Sequence, residues 1–257
     1  MKAKKHLGQH FLTSKSVLKD MLSAAQITKD DTVLEIGPGK GVLTQALLET
    51  GATVIAVETD ADMIEILEEK FGEHVQNKQL KIVHEDVLTL SLDDLITGDY
   101  KLVANIPYYI TGEIIRRFLT ADKPPLCMTL LVQKEVAHRI ARDTRESILS
   151  ISVKVFGQPR YVTTVAARYF SPAPKVDSAV LHIENISKKF FTGISENHFF
   201  KIVKSGFSSK RKKLVNNLAQ FGTKDTIIDT LESLGLSENI RAEEVPLEKW
   251  KELASIL

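Results

Sequence analysis

Short apolar runs and amphipathic segments alternate between residues 32 and 133, and this alternation constrains the fold more than any other feature. Strands that are apolar along their whole length are covered on both faces, as in parallel sheets with helical crossovers. The sequence therefore predicts a parallel, doubly wound α/β sheet. Five buried strands are expected at Thr32–Gly37, Thr53–Glu58, Leu80–His84, Lys101–Ile106 and Leu126–Val132. Helices are expected at about residues 41–50, 60–70 and 112–119, and in a segment that ends at 142.

The pattern changes in the second half of the chain. Tyr161–Ala167 and Ser178–Ile183 are typical of strands, and the Pro-containing turn Phe170–Lys175 between them leaves no room for a crossover helix. An antiparallel hairpin at the sheet edge is predicted. No strand pattern follows, and short helices are expected at 198–207, 210–220, 224–234 and 247–257. We predict two domains, an α/β domain over 1–186 and a small α-helical domain over 187–257.

The composition excludes several classes of protein. A single cysteine, Cys127, cannot form an internal disulfide or a cysteine-based zinc site. The seven histidines include no H-E-x-x-H motif, so no metal is expected. No apolar stretch is long enough to cross a bilayer, and the amino terminus lacks the apolar block of a secretory signal. The sequence predicts a soluble, cytoplasmic protein that acts as a monomer.

Charge is distributed unevenly along the chain although the net charge is only +1. Residues 31–100 carry 4 basic and 15 acidic side chains, whereas residues 101–180 carry 12 basic and 6 acidic ones. This distribution suggests two ligands of opposite character, one cationic or hydroxyl-rich and one polyanionic. The alternative is that the acidic excess forms the solvated face of a few helices.

Three signals follow three successive predicted strands. A glycine-rich turn, Gly37–Gly41, has the spacing G-x-G-x-G rather than the dinucleotide fingerprint, because position 42 is Val. Glu58 ends the second strand, where it can accept hydrogen bonds from both ribose hydroxyls. Asp86 follows the third strand, where its carboxylate can accept from an adenine amino group. Together these signals resemble the class I S-adenosylmethionine-dependent methyltransferases.

Glu35 lies two residues before the glycine-rich turn. Two interpretations stay open from the sequence. In one, Glu35 is a buried acid satisfied by the amides of the turn, and in the other it contacts the cofactor directly.

A tetrapeptide at the end of the fourth strand suggests what is methylated. Exocyclic amines of nucleobases are poor nucleophiles because the nitrogen lone pair is delocalised into the ring. The Asn105 side-chain oxygen and the Pro107 carbonyl can accept hydrogen bonds from the two N–H groups of such an amine. These bonds favour a pyramidal nitrogen whose lone pair is available. Tyr108 can stack on the extruded base. The motif resembles those of enzymes that methylate amino nitrogens.

Further segments narrow the resemblance. Lys5–Leu12, Phe170–Val180, Gly206–Leu214 and Asn216–Leu218 are similar to motifs of the ribosomal RNA adenine N6,N6-dimethyltransferases, above all to the bacterial small-subunit (kasugamycin-sensitivity) family. The resemblance covers essentially the whole chain. It implies a Rossmann-like amino domain, a helical carboxyl domain and S-adenosylmethionine as cofactor. It also implies dimethylation of two adjacent adenines near the 3′ end of 16S rRNA in the immature small ribosomal subunit.

The resemblance also implies roles for individual residues. Cofactor contacts are expected from His10, Leu12, Gly37, Glu58, Asp86 and Asn105. Target-base contacts are expected from Asn105, Pro107, Tyr108 and Phe170. Two interpretations of Phe170 stay open. Aromatic residues at strand ends usually pack in the core, whereas the two prolines that follow Phe170 favour an exposed loop, from which its ring could stack on the base.

A basic run begins the predicted helix 210–220. Lys210, Arg211, Lys212 and Lys213 are consecutive cations at a helix N-terminus, where the helix dipole disfavours them. A polyanionic partner explains this placement better than folding does, so we predict that the four residues contact rRNA phosphates. The alternative is a solvated surface.

Two other functions stay open. One is methylation of a large-subunit rRNA adenine, as in the macrolide-resistance methyltransferases, although the segment Gly206–Leu214 matches the small-subunit branch. The other is a non-catalytic ribosome-assembly or transcription factor of the same fold. The intact glycine-rich turn, Glu58, Asp86 and N-I-P-Y argue against this second alternative.

Overall fold

The computed structural model describes residues 9–92 and 95–257. The backbone divides into two units, one formed by Met1–Ala137 with Gln158–Ile186 and the other by His138–Gly157 with Ser187–Leu257. The break after Ile186 lies where the sequence pattern changes. Residues 138–157 differ from the expectation, because they group with the carboxyl-terminal residues instead of with the α/β domain.

A seven-stranded sheet forms the centre of the first unit, in the order β4-β3-β2-β5-β6-β9-β7. Strands β2 to β6 are parallel to one another, whereas β9 runs antiparallel to both β6 and β7. The predicted Rossmann-like sheet with an antiparallel edge hairpin is confirmed. The strands are β1 Phe11–Leu12, β2 Thr32–Ile36, β3 Thr53–Glu58, β4 Leu80–His84, β5 Lys101–Asn105, β6 Met128–Gln133, β7 Gln158–Val165, β8 Phe170–Ser171 and β9 Ser178–Glu184.

Ten α-helices are present in the described part of the chain. Neither α1 nor α6 was predicted from the sequence. The helices are α1 Lys15–Ala25, α2 Val42–Leu48, α3 Ala61–Gln76, α4 Thr111–Thr120, α5 Lys134–Ala141, α6 Ile148–Lys154, α7 Glu196–Gly206, α8 Leu214–Asn217, α9 Lys224–Ser233 and α10 Leu247–Ile256. Within the described residues, none of these helices is long and apolar enough to span a bilayer.

Burial explains why the parallel strands form where they do. Val33 and Leu34 in β2 and Leu102 and Val103 in β5 are completely buried, and they occupy consecutive positions that point to opposite faces. A strand buried on both faces needs helices above and below the sheet. α4 is such a helix and is amphipathic: Ile114 on its apolar side is buried, whereas Arg116 is exposed.

The direction of winding reverses between β2 and β5. The chain runs outward from β2 through β3 to β4 and then returns to β5 on the other side of β2. At such a reversal the loops after the two central strands leave in opposite directions and open a crevice at the carboxyl edge of the sheet. The glycine-rich turn after β2 and the N-I-P-Y segment after β5 both lie at this edge.

The second unit is helical, with an aromatic core. Rings of Phe156, Phe190, Phe191, Phe199 and Phe200 have centroids 5.2–6.2 Å apart. Aromatic pairs at these separations stabilise a small core beyond the apolar area that they bury. The helical character of this region agrees with the sequence pattern.

The predicted helix over 210–220 is wrong. Residues 210–213 form a turn, and the only α-helix in this region is the four-residue α8, to which Lys213 is the N-cap. The Asn217 side-chain amide donates to the carbonyl oxygens of Gly206 (2.5 Å) and Ser209 (3.0 Å). These hydrogen bonds join α8 to carbonyl groups just before the turn. Four adjacent cations in the first turn of a helix would also be disfavoured by the helix dipole.

Candidate active site

A pocket of about 370 Å³ lies at the carboxyl edge of the sheet, where the winding reverses. It has the size of small-molecule sites in proteins. Seven of the residues predicted from the sequence line it together, namely His10, Gly37, Glu58, Asp86, Asn105, Pro107 and Tyr108. Leu12 and Phe170 are the two predicted residues of the α/β domain that do not lie on its wall.

The glycine-rich turn forms one side of the pocket and requires glycine for two reasons. Gly37, Gly39 and Gly41 have φ angles of 66°, 53° and 71°, in the left-handed region that L-residues with a Cβ rarely adopt. A Cβ on Gly41 would also lie 2.4 Å from Cε2 of Phe71. The chain can therefore turn sharply out of β2 and bring its backbone against a ligand.

Glu58 holds this turn through its carboxylate. Oε2 accepts a hydrogen bond from the Gly39 N–H (3.1 Å), and Oε1 accepts from the N–H groups of Thr59 (2.9 Å) and Asp60 (3.0 Å). A carboxylate has about four acceptor sites, so one remains, on Oε2. The expected pair of ribose hydrogen bonds to Glu58 would require the Gly39 N–H to release its bond.

We expect Glu58→Ala to weaken S-adenosylmethionine binding by roughly 1–3 kcal/mol. The substitution removes a charged acceptor and the hydrogen bond between Glu58 and the Gly39 N–H of the glycine-rich turn. Titration calorimetry measures this loss. Glu65→Ala, at an exposed position of α3, is the matched control and should bind as the wild type does. Unchanged affinity in Glu58→Ala would remove Glu58 from the cofactor site.

Asp86 also lines the pocket, at the start of a tight turn. Its Oδ1 accepts from the Leu88 N–H (2.9 Å), and its backbone carbonyl accepts from the N–H groups of Thr89 and Leu90 (both 3.0 Å). No described residue hydrogen-bonds its Oδ2. The turn thus presents one exposed carboxylate oxygen as an acceptor beside the pocket.

Asn105 is oriented by a backbone carbonyl on the other side of the pocket. Its Nδ2 donates to the carbonyl oxygen of His10 (3.0 Å), so the amide oxygen Oδ1 has no partner among the described residues and remains an acceptor. The Pro107 carbonyl accepts from the Ile110 N–H at 3.3 Å and keeps a second lone pair. Two acceptors of the predicted type therefore line the same pocket.

Tyr108 and His10 lie side by side in this pocket. Their ring planes are inclined by 21° and their centroids are 6.0 Å apart. Each ring is held at its edge: the Tyr108 hydroxyl is 2.7 Å from Ser178 Oγ, and His10 Nδ1 donates to the Pro172 carbonyl (2.8 Å). Burial raises the pKa of Tyr108, so its phenol stays neutral at physiological pH.

Leu12 and Phe170 pair with each other in a two-stranded sheet instead of facing the pocket. The pairing joins β1 to β8 in antiparallel register. Leu12 is 4 % exposed and Phe170 is 5 % exposed, and both belong to the main hydrophobic cluster. The expected exposed loop at Phe170 is wrong, because pairing with β1 turns this aromatic ring into the core.

Glu35 is buried without hydrogen-bonding partners. It is 1 % exposed, and neither carboxylate oxygen makes a hydrogen bond. Burial raises the pKa of Glu35 to about 8, and the negative charge of Glu58 acts in the same direction. The turn amides do not satisfy Glu35, so that interpretation of this residue is wrong. A small cavity of about 30 Å³ adjoins it.

The raised pKa of Glu35 predicts a pH dependence of stability. The folded protein keeps a proton that the unfolded chain releases above pH about 4.5, so the folded state loses stability as pH rises from about 4.5 to 8. Glu35→Gln removes this loss. We expect the melting temperature of the variant, relative to wild type, to increase between pH 5 and pH 8. A constant difference in melting temperature would contradict the prediction, and Glu65→Gln serves as the control.

The polar groups of the large pocket fit a cationic nucleoside. Glu58, Glu85 and Asp86 line it, and no Lys or Arg of residues 9–92 and 95–257 does so. A dinucleotide diphosphate would need cations or a free helix N-terminus there. S-Adenosylmethionine instead carries a sulfonium and an ammonium group, which acidic side chains attract. Over the described ranges, no cluster of three or more potential metal ligands occurs.

Gln9, which lines the pocket, and Ser178, which contacts Tyr108, were not selected from the sequence as site residues. Gln9 lies in the amino-terminal motif, and its Nε2 donates to Asp60 Oδ2 (2.9 Å). Its position next to His10 was the available signal. Ser178 reaches Tyr108 only because β9 is inserted between β6 and β7, and the spacing of residues in the sequence does not encode that insertion.

The four basic residues belong to the second unit. Lys210, Arg211, Lys212 and Lys213 are all exposed, and none of them forms an ion pair with a described residue. Asn217 donates to the carbonyl oxygens of Gly206 and Ser209, just before the turn that carries them. The structure therefore presents four uncompensated positive charges on one short segment.

Comparisons with known proteins agree with this site. The family model described as "Ribosomal RNA adenine dimethylase" matches residues 1–257. A protein of Dehalococcoides mccartyi named "Ribosomal RNA small subunit methyltransferase A" is 43 % identical, over 98 % of this chain and 88 % of that protein. A protein of Fusobacterium nucleatum with the same name is 40 % identical, over 99 % of this chain and 97 % of that protein.

Solved structures give the same result. A dimethyladenosine transferase from Plasmodium falciparum superposes with a TM-score of 0.81 at 25 % identity, over 95 % of this chain and 96 % of that one. The 23S rRNA methyltransferase ErmE superposes with a TM-score of 0.76, also at 25 % identity, over 95 % of this chain and 98 % of that one. With a family match over all 257 residues and relatives above 30 % identity over nearly the whole chain, this protein belongs to the ribosomal RNA adenine dimethylase family.

Proposed function

We propose that this protein dimethylates N6 of two adjacent adenines near the 3′ end of 16S rRNA, acting on the immature small ribosomal subunit. As a member of its family it is an S-adenosylmethionine-dependent rRNA adenine dimethyltransferase. The observation that carries the proposal is one pocket that joins the acidic groups for a cofactor to the N-I-P-Y acceptors for an amine. The names of the relatives support the small subunit as the substrate.

The acidic end of the pocket would hold the cofactor. Glu58 has one acceptor site for a ribose hydroxyl, and Asp86 has a free oxygen for the adenine amino group. The backbone of the glycine-rich turn approaches the methionine part closely because Gly37 has no side chain. S-Adenosylmethionine supplies an electrophilic methyl group on its sulfonium. Leu12 is buried where β1 pairs with β8, and its expected cofactor contact stays a prediction.

The opposite end of the pocket would bind the target adenine. Asn105 Oδ1 and the Pro107 carbonyl accept the two N–H bonds of the exocyclic amine and favour a nitrogen whose lone pair is available. The Nδ2 bond to His10 fixes which end of the Asn105 amide faces the amine. Because this orientation exists before the base enters, the acceptors need not reorganise during the reaction. The amine proton becomes acidic only after methylation, so no strong general base is required.

Tyr108 would stack on the extruded base. Its hydroxyl contact with Ser178 holds the ring at one edge, and a ring in a fixed orientation gains more from stacking because less freedom is lost on binding. Base extrusion itself costs a few kcal/mol for a paired base, which aromatic stacking offsets. Phe170 is 5 % exposed, and its expected contact with the base stays a prediction.

The alternative substrate is an adenine of the large-subunit rRNA. ErmE, which is named for 23S rRNA, has the same fold as this chain at 25 % identity. The relatives named for the small subunit are 36–43 % identical, over almost the whole chain. The higher identity favours the small subunit. A non-catalytic factor is disfavoured, because the acceptors and the cofactor pocket are complete.

Transfer of labelled methyl groups tests the substrate directly. We expect methylation of immature small subunits and little of naked 16S rRNA, mature small subunits or large subunits. Mapping of the label should find two adjacent N6,N6-dimethyladenines. Label confined to the large-subunit rRNA would establish the alternative, and no transfer to any rRNA would refute both.

Two finer points stay predictions from the sequence. A monomer is expected to be the active species, and sedimentation of the active protein measures this. A cytoplasmic location follows from the proposed substrate, because ribosomal subunits of bacteria are assembled there.

A further inference from the structure

The Arg117 side chain connects α4 to the segment that follows Asp86. Its Nη1 donates to the Leu88 carbonyl oxygen (2.7 Å), and its Nη2 donates to the Leu90 carbonyl oxygen. Nε is buried and has no hydrogen-bond partner. The guanidinium group therefore lies largely away from water and is used almost entirely on one short piece of backbone.

This placement is not explained by the packing of α4. Ile114 and Phe118, neighbouring residues of the same helix, are fully buried and apolar. No described carboxylate pairs with Arg117, and a desolvated cation with only carbonyl partners costs stability relative to an apolar side chain. The two donors of a planar guanidinium do match two carbonyl oxygens of one turn. The contact serves the geometry of that turn.

The turn in question is the one that carries Asp86. The Asp86 carbonyl accepts from the Leu90 N–H, and Asp86 Oδ1 accepts from the Leu88 N–H. Leu88 and Leu90 are therefore hydrogen-bonded both to Arg117 and to Asp86. Leu88 lines the pocket as well. Displacement of either carbonyl would move the Asp86 carboxylate.

We propose that Arg117 is a positioning residue for the adenine end of the cofactor. Its two hydrogen bonds hold the turn Asp86–Leu90 against α4, the helix that follows N-I-P-Y. The inference rests on the proposed contact between Asp86 and the adenine amino group. α4 begins directly after the short helical turn Tyr108–Ile110. Arg117 thereby ties the cofactor end of the pocket to the element that carries the target-base residues.

Equilibrium binding separates this role from catalysis. Arg117→Met keeps the length of the side chain but cannot donate. We expect it to weaken binding of S-adenosylmethionine about tenfold, and binding of 5′-deoxy-5′-methylthioadenosine by the same factor, since the latter keeps the adenosine and lacks the amino acid. Arg116→Met, at an exposed neighbouring position of α4, is the matched control and should bind both compounds as the wild type does.

Further variants make the result decisive. Arg117→Lys should recover part of the affinity, because one donor can still reach a carbonyl. KM for S-adenosylmethionine should rise more than kcat falls in Arg117→Met, with a melting temperature that still shows a folded protein. If Arg117→Met does not fold, Arg117→Lys is measured instead, with a smaller loss expected.

Unchanged affinity for methylthioadenosine in the folded Arg117 variant would overturn the inference. Asp86→Asn distinguishes this failure from failure of the proposed site. If Asp86→Asn weakens adenosine binding and the Arg117 variant does not, only the positioning role is wrong. If neither variant weakens it, Asp86 does not bind the adenine.

Discussion

Asn105→Ala is expected to lower the rate of methyl transfer by about 10²-fold or more, the effect of removing one preorganised group that stabilises the reacting centre. The Asn105 side chain is the acceptor whose orientation is set in advance, because Nδ2 is bonded to the His10 carbonyl. Ala cannot accept from the amine, and it also frees the His10 carbonyl. Single-turnover transfer of labelled methyl groups to immature small subunits measures the loss.

The control for this variant lies at the end of the neighbouring strand. Gln133 is the last residue of β6, as Asn105 is of β5, and it does not line the pocket. Gln133→Ala should therefore keep nearly normal turnover. Asn105→Ala should lose at most about 1 kcal/mol of stability, the typical net contribution of one hydrogen bond. Near-normal turnover in Asn105→Ala would show that N-I-P-Y is only a turn.

Replacement of the four consecutive cations by Ala is expected to weaken binding to small subunits while cofactor affinity is retained. The exchanged residues are Lys210, Arg211, Lys212 and Lys213. Each lost phosphate contact should lower the dependence of log affinity on log salt concentration by about 0.7–0.9. Binding measured at several salt concentrations gives both the affinity and this slope.

The structure changes the reason for this prediction. The cations do not begin a long helix, so repulsion from a helix dipole is not the argument. They are exposed, without ion pairs among the described residues, on a short turn between α7 and α8, and Asn217 ties α8 to the residues just before that turn. A short turn held between two helices can place several charges along an RNA backbone at little cost in entropy. A control variant removes the same charge from the same unit by replacing Lys189, Lys224, Lys249 and Lys251 with Ala. If both variants show equal affinities and equal salt slopes, the basic run is only a solvated surface.

The parallel strands could be predicted closely from the sequence. Thr53–Glu58 and Leu80–His84 have the predicted bounds, and Thr32–Gly37 ends one residue earlier in the structure. Such strands are buried on both faces, so continuous apolar runs mark them clearly. The pocket followed from the same pattern, because residues at the carboxyl ends of adjacent parallel strands must converge. Glu58, Asp86 and Asn105 were identified in this way.

Features that depend on distant contacts could not be predicted. The burial of Phe170 is decided by β1, which lies far away in the chain. Residues 210–213 form a turn instead of the expected helix, and Asn217 in α8 bonds back to residues 206 and 209. The role of Arg117 depends on carbonyl groups about 30 residues earlier. Local periodicity carries no information on any of these contacts.

The pairing of β1 with β8 has a consequence for the order of events during synthesis. Phe11 and Leu12 leave the ribosome early, but their partners Ser171 and Phe170 emerge only after more than half of the chain has been made. Until then the His10 imidazole also lacks the Pro172 carbonyl that tethers it. A nascent chain can form β2 to β5 as a folding intermediate, but one wall of its cofactor pocket is still missing. We therefore expect truncated nascent chains to become able to retain S-adenosylmethionine only once residues 170–172 have cleared the exit tunnel.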